Sequence, residues 1–328
     1  MSTLPASSDA PRLRVAGFGS PAFAIPSLEV LAREHYLLLV VAQPDKPAGR
    51  GLAQRPPAAA AWAREHRVPL AQPARLKRDE AFLEQLRGLD LDVAVTAAYG
   101  KILPAALLQI PRHGVLNVHA SLLPKYRGAA PVQWALIEGE RETGVSIMQT
   151  EAGLDTGPVR HVLRTDIAAD ETAACLMLRL AALGARALSE ALARLARGEL
   201  PSEPQDDAAA SLAPRLTRSD GRIRWDVDAA ALLARHRGVT PWPGSWFERA
   251  GRKGPEAVKV HALRLAPGEP ASRAVAPGTV TAIDEHGVRV ATGAGEVILE
   301  VLQSPGRPRQ DAAAWARGAR LQAGDRCG

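Results

Sequence analysis

The chain has 328 residues, and this length favours two domains, because one hydrophobic core rarely keeps growing in so long a chain. Apolar residues make up 46% of the sequence and are dispersed along it. The apolar stretch from Tyr36 to Ala42 is far too short to span a bilayer, so we expect no membrane partner.

Charge is unevenly distributed along the chain. Lys and Arg total 41 against 35 Asp and Glu, and the formal excess of +6 lies entirely in residues 212–328, which hold 18 basic and 12 acidic residues. A basic C-terminal domain favours a polyanionic partner such as a nucleic acid. Because only six of the basic residues are Lys, a compositional bias toward Arg is an equally good explanation of the charge taken alone.

The N-terminus and the cysteines indicate a cytoplasmic protein. Residues 1–11 lack the basic start and apolar run of a signal peptide and are predicted to form a disordered tail. Cys175 and Cys327 have no spacing typical of a disulfide framework or a metal site, so we expect free thiols in a reducing cytosol. No Cys/His cluster indicates a metal.

Strands and helices alternate through the first half of the chain. This order predicts an α/β fold with a Rossmann-like parallel sheet and right-handed crossovers, in a domain over residues 12–200. The predicted strands are Leu13–Phe18, Tyr36–Ala42, Val93–Ala97 and Val115–His119, and the predicted helices are Pro26–Glu34, Ala58–His66, Asp79–Arg87 and Glu171–Arg197.

The pattern changes after a polar segment. Residues 201–214 (PSEPQDDAAASLAP) contain three prolines and no apolar period, which predicts a linker. Beyond it, a helix at Ala229–Arg237 precedes short strands with close spacing, which predict a small antiparallel OB-like β-barrel over residues 215–328. The predicted strands are Ala257–Leu265, Gly278–Ile283, Gly287–Ala291 and Glu296–Leu302.

Polar residues cluster after the strand at Val115–His119. Asn117 and His119 are two residues apart, so they share a face of the strand near its carboxyl end, where open α/β sheets usually bind ligands. Asp155 lies in a second loop, GLDTG, between Gly153 and Gly157. An amide donor, a titratable ring and a carboxylate are what acyl transfer to an amine requires.

Each of these residues has a plainer interpretation when it is taken alone. A single Asn or His at the end of a strand is usually a turn residue, and Asp beside Gly commonly forms a turn. Gly17-Phe18-Gly19 after the first strand is typical of dinucleotide loops, but Ala22 stands where the third glycine is required, so NAD binding is disfavoured.

The segment from Gln43 to Pro57 is rich in Pro and Gly and carries three basic residues and one acid. Its composition predicts an exposed loop without regular structure. Most such loops are only solvated surface; the alternative is a basic loop that contacts a nucleic acid.

The motifs NVHASLLPKYRGAAPVQWAL and ETGVSIMQTEAGLDTGPV resemble the folate-dependent formyltransferases. Along residues 13–324 the resemblance is to the members that formylate methionyl-tRNA, with RIRW (Arg222–Trp225) and PWPGSW (Pro241–Trp246) as further landmarks. It implies a formyltransferase domain followed by an OB-like tRNA-binding domain. The implied reaction transfers a formyl group from 10-formyltetrahydrofolate, as co-substrate, to the α-amino group of initiator methionyl-tRNA in translation initiation.

The resemblance also implies roles for individual residues. Asn117, His119 and Asp155 match the catalytic residues; Asn117 and protonated His119 would stabilise the oxyanion, and which group first takes the amine proton stays open. Arg50 matches the arginine of a loop that contacts the tRNA acceptor arm, and Lys46 and Arg55 flank it. The loop implied to shape the folate site comprises Ser121, Leu122, Leu123, Pro124, Tyr126, Arg127 and Gly128.

Two other classes of function stay open at this point. One is a folate-dependent enzyme with another acceptor, such as a sugar nucleotide or glycinamide ribonucleotide, or a formylfolate hydrolase. The other is a noncatalytic RNA-binding module in which Asn117, His119 and Asp155 are structural. The sequence indicates no metal and no protein partner.

Overall fold

A computed structural model describes residues 11–48, 53–77, 79–251, 254–267 and 275–328. Apart from Pro11, the predicted tail at residues 1–11 therefore lies outside the described residues. The chain divides into two compact units. Unit 1 comprises Met1–Pro131, Glu142–Asp166 and Met177–Ala213, and unit 2 comprises Val132–Arg141, Ile167–Leu176 and Pro214–Gly328.

Most strands of unit 1 form one sheet, which has seven strands. The strands are β1 (Arg14–Gly19), β2 (Tyr36–Val41), β3 (Lys46–Ala48), β4 (Ala53–Arg55), β5 (Leu70–Ala71), β6 (Val93–Ala97), β7 (Val115–His119), β8 (Arg127–Gly128), β9 (Glu142–Gln149), β10 (Val159–Asp166) and β11 (Leu212–Ala213). The order in the sheet is β10-β9-β7-β6-β1-β2-β5.

The sheet is mostly parallel, as the sequence predicted, but one edge differs from that prediction. β7, β6, β1, β2 and β5 run parallel, whereas β9 pairs antiparallel with both β7 and β10. β9 and β10 form a hairpin, and its connecting loop contains Asp155. This antiparallel hairpin brings Asp155 back toward β7.

Among the described residues, six α-helices precede the C-terminal part of the chain. They are α1 (Ile25–Glu34), α2 (Ala58–Glu65), α3 (Glu80–Arg87), α4 (Ala105–Leu108), α5 (Pro131–Ile137) and α6 (Ala173–Ala196). Glycines allow α1 to approach β1 closely, since a Cβ on Gly17 would lie 2.5 Å from Leu28 and one on Gly19 would lie 2.4 Å from Ala24. The Gly17-Phe18-Gly19 motif thus has a packing explanation that requires no dinucleotide.

Two segments of unit 1 that were expected to be irregular contain short strands. In the loop from Gln43 to Pro57, β3 pairs antiparallel with β4, so the prediction of no regular structure was wrong. Proline is tolerated in such an edge strand, where its missing N–H need not bond to a neighbour. Within residues 201–214, β11 pairs with β8 in parallel. Whether this segment also serves as a linker stays a prediction.

The antiparallel strands predicted for the C-terminal domain are confirmed in unit 2. Its sheet has the order β12-β13-β16-β15-β14, with β17 paired to β16. In the core of this unit, the rings of Trp225 and Trp315 each pack edge to face with the ring of Phe247. The elements are α7 (Ala229–Val239), β12 (Ser245–Gly251), β13 (Gly254–Leu265), β14 (Val280–Asp284), β15 (Gly287–Ala291), β16 (Glu296–Gln303), β17 (Gln310–Asp311) and α8 (Ala312–Ala319).

The two units interleave along the chain instead of following each other. α5 lies mostly in unit 2, where a Cβ on Gly238 of α7 would lie 2.6 Å from Ile137 and 2.7 Å from the Gln133 carbonyl. Only glycine permits this close approach of the two helices. The consecutive boundaries at residues 12–200 and 215–328 stay a prediction.

Candidate active site

Asn117 and His119 lie at the carboxyl end of β7, near the middle of the sheet. β7 begins and ends as predicted, at Val115 and His119. Because successive side chains alternate across a strand, both side chains project to the same face. β6 lies on one side of β7 and β9 on the other, so the neighbouring strands supply further groups at this edge.

A buried threonine fixes the orientation of the Asn117 amide. Thr96 pairs with Asn117 across β6 and β7, and its Oγ1 donates to Asn117 Oδ1 over 2.8 Å. Thr96 is itself 7% exposed. Since the amide oxygen is held by this hydroxyl, the amide nitrogen is the atom that faces away, available to donate to a substrate.

The ring of His119 is oriented by a backbone carbonyl. His119 is 5% exposed, and its Nε2 lies 3.0 Å from the carbonyl oxygen of Tyr126. A carbonyl can only accept, so Nε2 carries the hydrogen and donates it. Nδ1 is therefore the nitrogen at which neutral His119 can take up a proton.

Asp155 faces this nitrogen. Its Oδ2 lies 3.7 Å from His119 Nδ1, close enough for charge interaction but too long for a hydrogen bond. The same oxygen accepts a hydrogen bond of 2.9 Å from the backbone N–H of Gly128. Asp155 has φ +52°, a left-handed conformation that is uncommon for a residue with a side chain. The structure thus brings together all three residues that the sequence predicted to be catalytic.

The predicted folate loop covers the end of β7. Ser121 is fully buried, and its Oγ donates to the Lys125 carbonyl over 2.7 Å. Tyr126 and Arg127 are also buried, and Arg127 and Gly128 form β8. Gly128 has φ +128°, and a Cβ there would lie 2.7 Å from the Ala213 carbonyl, so glycine is required. Leu122, Leu123 and Pro124 are half-buried in the same loop.

Two of the predicted tRNA-binding residues lie at the ends of paired strands. Lys46 opens β3 and Arg55 closes β4, and the two are paired in register and exposed. Lys46 Nζ donates to Gln43 Oε1 over 3.0 Å. Arg50 lies outside the described residues.

Sequence reasoning missed three residues that contact this site. Thr96, Gln205 and Ser211 hold Asn117, the Asp155 loop and the Tyr126 loop respectively. No sequence signal identifies Gln205 or Ser211, since both lie in the proline-rich segment that was predicted to be a linker. The pairing of adjacent parallel strands could have suggested Thr96, which occupies the same level of the sheet as Asn117.

The described residues contain no group of three or more His, Cys, Asp or Glu side chains suited to hold a metal ion. None of the helices in these described ranges is both long and apolar enough to span a membrane.

Comparison with solved structures supports the fold. The crystal structure of an N-formyltransferase from Helicobacter canadensis, in complex with folinic acid and dTDP-3-aminofucose, superposes with a TM-score of 0.67 at 16% identity, covering 89% of this chain and 99% of that one. A sugar 3N-formyl transferase solved with dTDP and 5-N-formyl-THF gives 0.65 at 15% identity, covering 91% and 100%. At this level of identity the likeness extends to the fold alone.

Comparison of sequences is more specific. Methionyl-tRNA formyltransferase of Thermus thermophilus is 50% identical over 96% of this chain and 99% of its own length, and that of Deinococcus radiodurans is 46% identical over 95% of each. Two family models match: "Formyl transferase" over residues 13–192 and "Formyl transferase, C-terminal domain" over residues 215–320. The predicted family is thereby confirmed, and this chain belongs to the formyl transferase family.

Proposed function

We propose that the protein transfers the formyl group of 10-formyltetrahydrofolate to the α-amino group of initiator methionyl-tRNA, for translation initiation in the cytoplasm. The choice of methionyl-tRNA as the acceptor rests on how much of the chain is similar in sequence to relatives of that activity. Relatives that act on methionyl-tRNA match over nearly the full chain at up to 50% identity, including the C-terminal unit. The neighbours crystallised with dTDP-3-aminofucose or with dTDP share the fold at only 15–16% identity.

Asn117 is suited to stabilise the oxyanion. The α-amine attacks the formyl carbon in its neutral form, a species available because model α-amines have a pKa near ~8. The new N–C bond places negative charge on the former carbonyl oxygen. Thr96 holds Asn117 Oδ1, so Nδ2 can donate to that oxygen. The intermediate then collapses, the bond from the formyl carbon to the folate N10 breaks, and N10 leaves with a proton.

His119 and Asp155 are suited to move the proton that the amine loses. Nδ1 of His119 can take it up, because Nε2 is already committed to the Tyr126 carbonyl. The resulting imidazolium lies beside the carboxylate of Asp155, which stabilises the positive charge. The protonated ring can then return the proton to the leaving N10, so the residues are restored at the end of each turnover.

The loop at residues 121–128 is suited to bind the folate donor. It lies directly over the carboxyl end of β7, where ligands of open α/β sheets bind. The fold neighbours were crystallised with folinic acid and 5-N-formyl-THF, which are folate derivatives. Buried Arg127 helps to keep this loop in place, because its guanidinium donates hydrogen bonds to the side chains of Gln205 and Asp207.

Unit 2 offers a surface suited to RNA. A groove of about 500 Å³ is lined by Trp242, Trp246, Arg218 and Lys259, and the described residues that line it include no carboxylate. Trp242 is 57% exposed, which is unusual for so large an apolar side chain. Exposed aromatic rings beside basic residues can stack on bases and contact phosphates. This surface would contact the tRNA, and Lys46, Arg50 and Arg55 of unit 1 are proposed as tRNA contacts in their own right.

The function is tested by following N-formyl product after incubation with 10-formyltetrahydrofolate and one of three acceptors. We expect rapid formylation of initiator methionyl-tRNA, much slower formylation of the charged elongator tRNA, and none of free methionine. Comparable turnover of free methionine would remove the case for tRNA recognition. Preferred turnover of an aminated sugar nucleotide would assign the chain to another branch of the family.

A further inference from the structure

Residues 201–213, here called the supporting segment, make hydrogen bonds to both loops of the candidate site. Gln205 is half-buried, and its Nε2 donates to the carbonyl of Asp155 over 2.8 Å and to that of Gly157 over 2.7 Å. One side-chain amide therefore uses both of its hydrogens on the loop that carries the carboxylate. These bonds stabilise Asp155 in its left-handed conformation, which is unfavourable for a residue with a side chain.

The other end of the same amide is connected to the folate loop. Gln205 Oε1 accepts from Arg127 Nε over 3.0 Å, and a second guanidinium nitrogen of Arg127 donates to Asp207 Oδ1 over 2.7 Å. The next residue, Gly128, donates its N–H to Asp155 Oδ2. Gln205, Arg127, Gly128 and Asp155 thus form a closed ring of contacts around the carboxylate. Such a ring restrains both the position and the direction of Oδ2.

Ser211 holds the loop that orients His119. Its Oγ accepts from the N–H of Tyr126 over 2.9 Å, and its carbonyl accepts from the N–H of Arg127 over 2.8 Å. Tyr126 has φ +64°, and its carbonyl accepts the hydrogen bond from His119 Nε2. The supporting segment therefore positions the group that selects which nitrogen of His119 stays free.

From these contacts we propose that Gln205 is a positioning residue that sets the separation between His119 and Asp155, an inference that rests on the proposed function. At 3.7 Å the carboxylate stabilises a charged ring without forming a hydrogen bond to Nδ1, so Nδ1 stays available to the amine. Without Gln205 the loop at Asp155 can relax, and Oδ2 then either moves away from His119 or bonds to Nδ1 directly. Both movements slow proton transfer.

Kinetic comparison of two variants tests this role. Gln205→Leu removes the amide at similar size, and Gln205→Glu keeps the acceptor for Arg127 but replaces the donor with an oxygen. Because a misplacement of about 1 Å at a reacting group can cost roughly 10²-fold, we expect kcat to fall about 10–100-fold in both variants. KM for the folate donor should stay unchanged in Gln205→Glu, which keeps the acceptor for Arg127. Glu203→Gln is the matched control, since Glu203 lies in the same segment with an exposed side chain.

A double-mutant cycle separates positioning from a general structural role. If Gln205 acts through Asp155, then Gln205→Leu should cause little further loss of kcat in an Asp155→Ala background. An equal fold-loss of kcat in the parent protein and in the Asp155→Ala background would overturn the proposal. So would a kcat for Gln205→Leu that equals that of the Glu203→Gln control.

Hydrogen exchange gives a readout that requires no turnover. The N–H of Gly128 is protected by Asp155 Oδ2, so it should exchange faster in Gln205→Leu than in the parent protein or in Glu203→Gln. Unchanged exchange at Gly128 would refute the proposal whatever the kinetics show. If the parent protein formed no formyl product, the proposed function would fail, and the exchange experiment would still decide whether Gln205 holds Asp155.

Discussion

Replacing Asn117 with Asp isolates a single donor atom of the candidate site. The two side chains have nearly the same shape, and an Asp oxygen can still accept the hydrogen bond that Thr96 donates to Asn117 over 2.8 Å. What changes is the atom that faces the substrate, where an N–H donor becomes an oxygen. Because the remaining contacts are kept, we expect the fold to be retained.

The size of the effect follows from the role assigned to that atom. Loss of one oxyanion donor costs roughly 10²–10³ in kcat, or about 2.7–4 kcal/mol of transition-state stabilisation. A carboxylate also repels the developing oxyanion, so Asn117→Asp should reach at least the upper end of that range. Thr96→Val removes only the bond that orients the amide, and a net hydrogen bond contributes about 0.5–1.5 kcal/mol. The kcat of Thr96→Val should therefore fall only about 2–10-fold.

The assay is single-turnover formylation of initiator methionyl-tRNA at saturating donor, together with thermal unfolding of each variant. Gln85→Glu supplies the matched control, because it exchanges an amide for an acid on the exposed face of α3. A folded Asn117→Asp protein with a rate within about threefold of the parent would refute the role of Asn117 as an oxyanion donor. Equal losses in Asn117→Asp and Thr96→Val would instead indicate that general disruption of the strand ends causes both.

Three further predictions concern stability, the folate loop and RNA. Burial lowers the pKa of His236 to about 4, whereas the pKa of a histidine in the unfolded chain is about 6.5, so the unfolded chain takes up the proton first as pH falls. The free energy of unfolding, measured with urea, should therefore fall by up to about 3 kcal/mol between pH 6.5 and 4. In a His236→Asn variant, this dependence of stability on pH should be weaker. Gly128→Ala should lower kcat at least tenfold, because its Cβ would displace Ala213 and the loop that bonds to Asp155; normal activity would contradict the geometry. In binding titrations against salt, Arg218→Gln and Lys259→Gln should each reduce the log–log slope of tRNA affinity by roughly 0.7–0.9, and unchanged slopes would remove these residues from the RNA surface.

The elements predicted most accurately are those with a strong local pattern. β6 and β7 have the predicted bounds because each is a short apolar run between turn residues. β15 and the start of β16, at Gly287 and Glu296, were also located correctly from alternation and glycine. β9 and β10 were missed although they are consecutive strands, and their antiparallel pairing forms the hairpin that carries Asp155.

The residues of the candidate site also differ in how well the sequence alone could place them. Asn117 and His119 could be placed together because the period of a strand fixes which residues share a face. Asp155 could be associated with them only through the family resemblance, since no spacing rule brings a loop residue 36 positions beyond His119 to within 3.7 Å of its ring. Even then, the resemblance named the residues without indicating which nitrogen of His119 is free.

The supporting segment explains why composition alone misled the sequence interpretation. Prolines and polar residues at 201–214 disfavour a long helix or a strand in a sheet interior, and a linker is the usual consequence. They do not exclude a chain held by side-chain bonds, and Gln205 makes its contacts with Arg127 and Asp155, which are 78 and 50 residues away. A proline-stiffened chain loses little entropy on docking, so a few well-directed hydrogen bonds suffice to hold it. In such a segment a single glutamine amide can fix the geometry of a distant carboxylate without leaving any period or motif in the sequence.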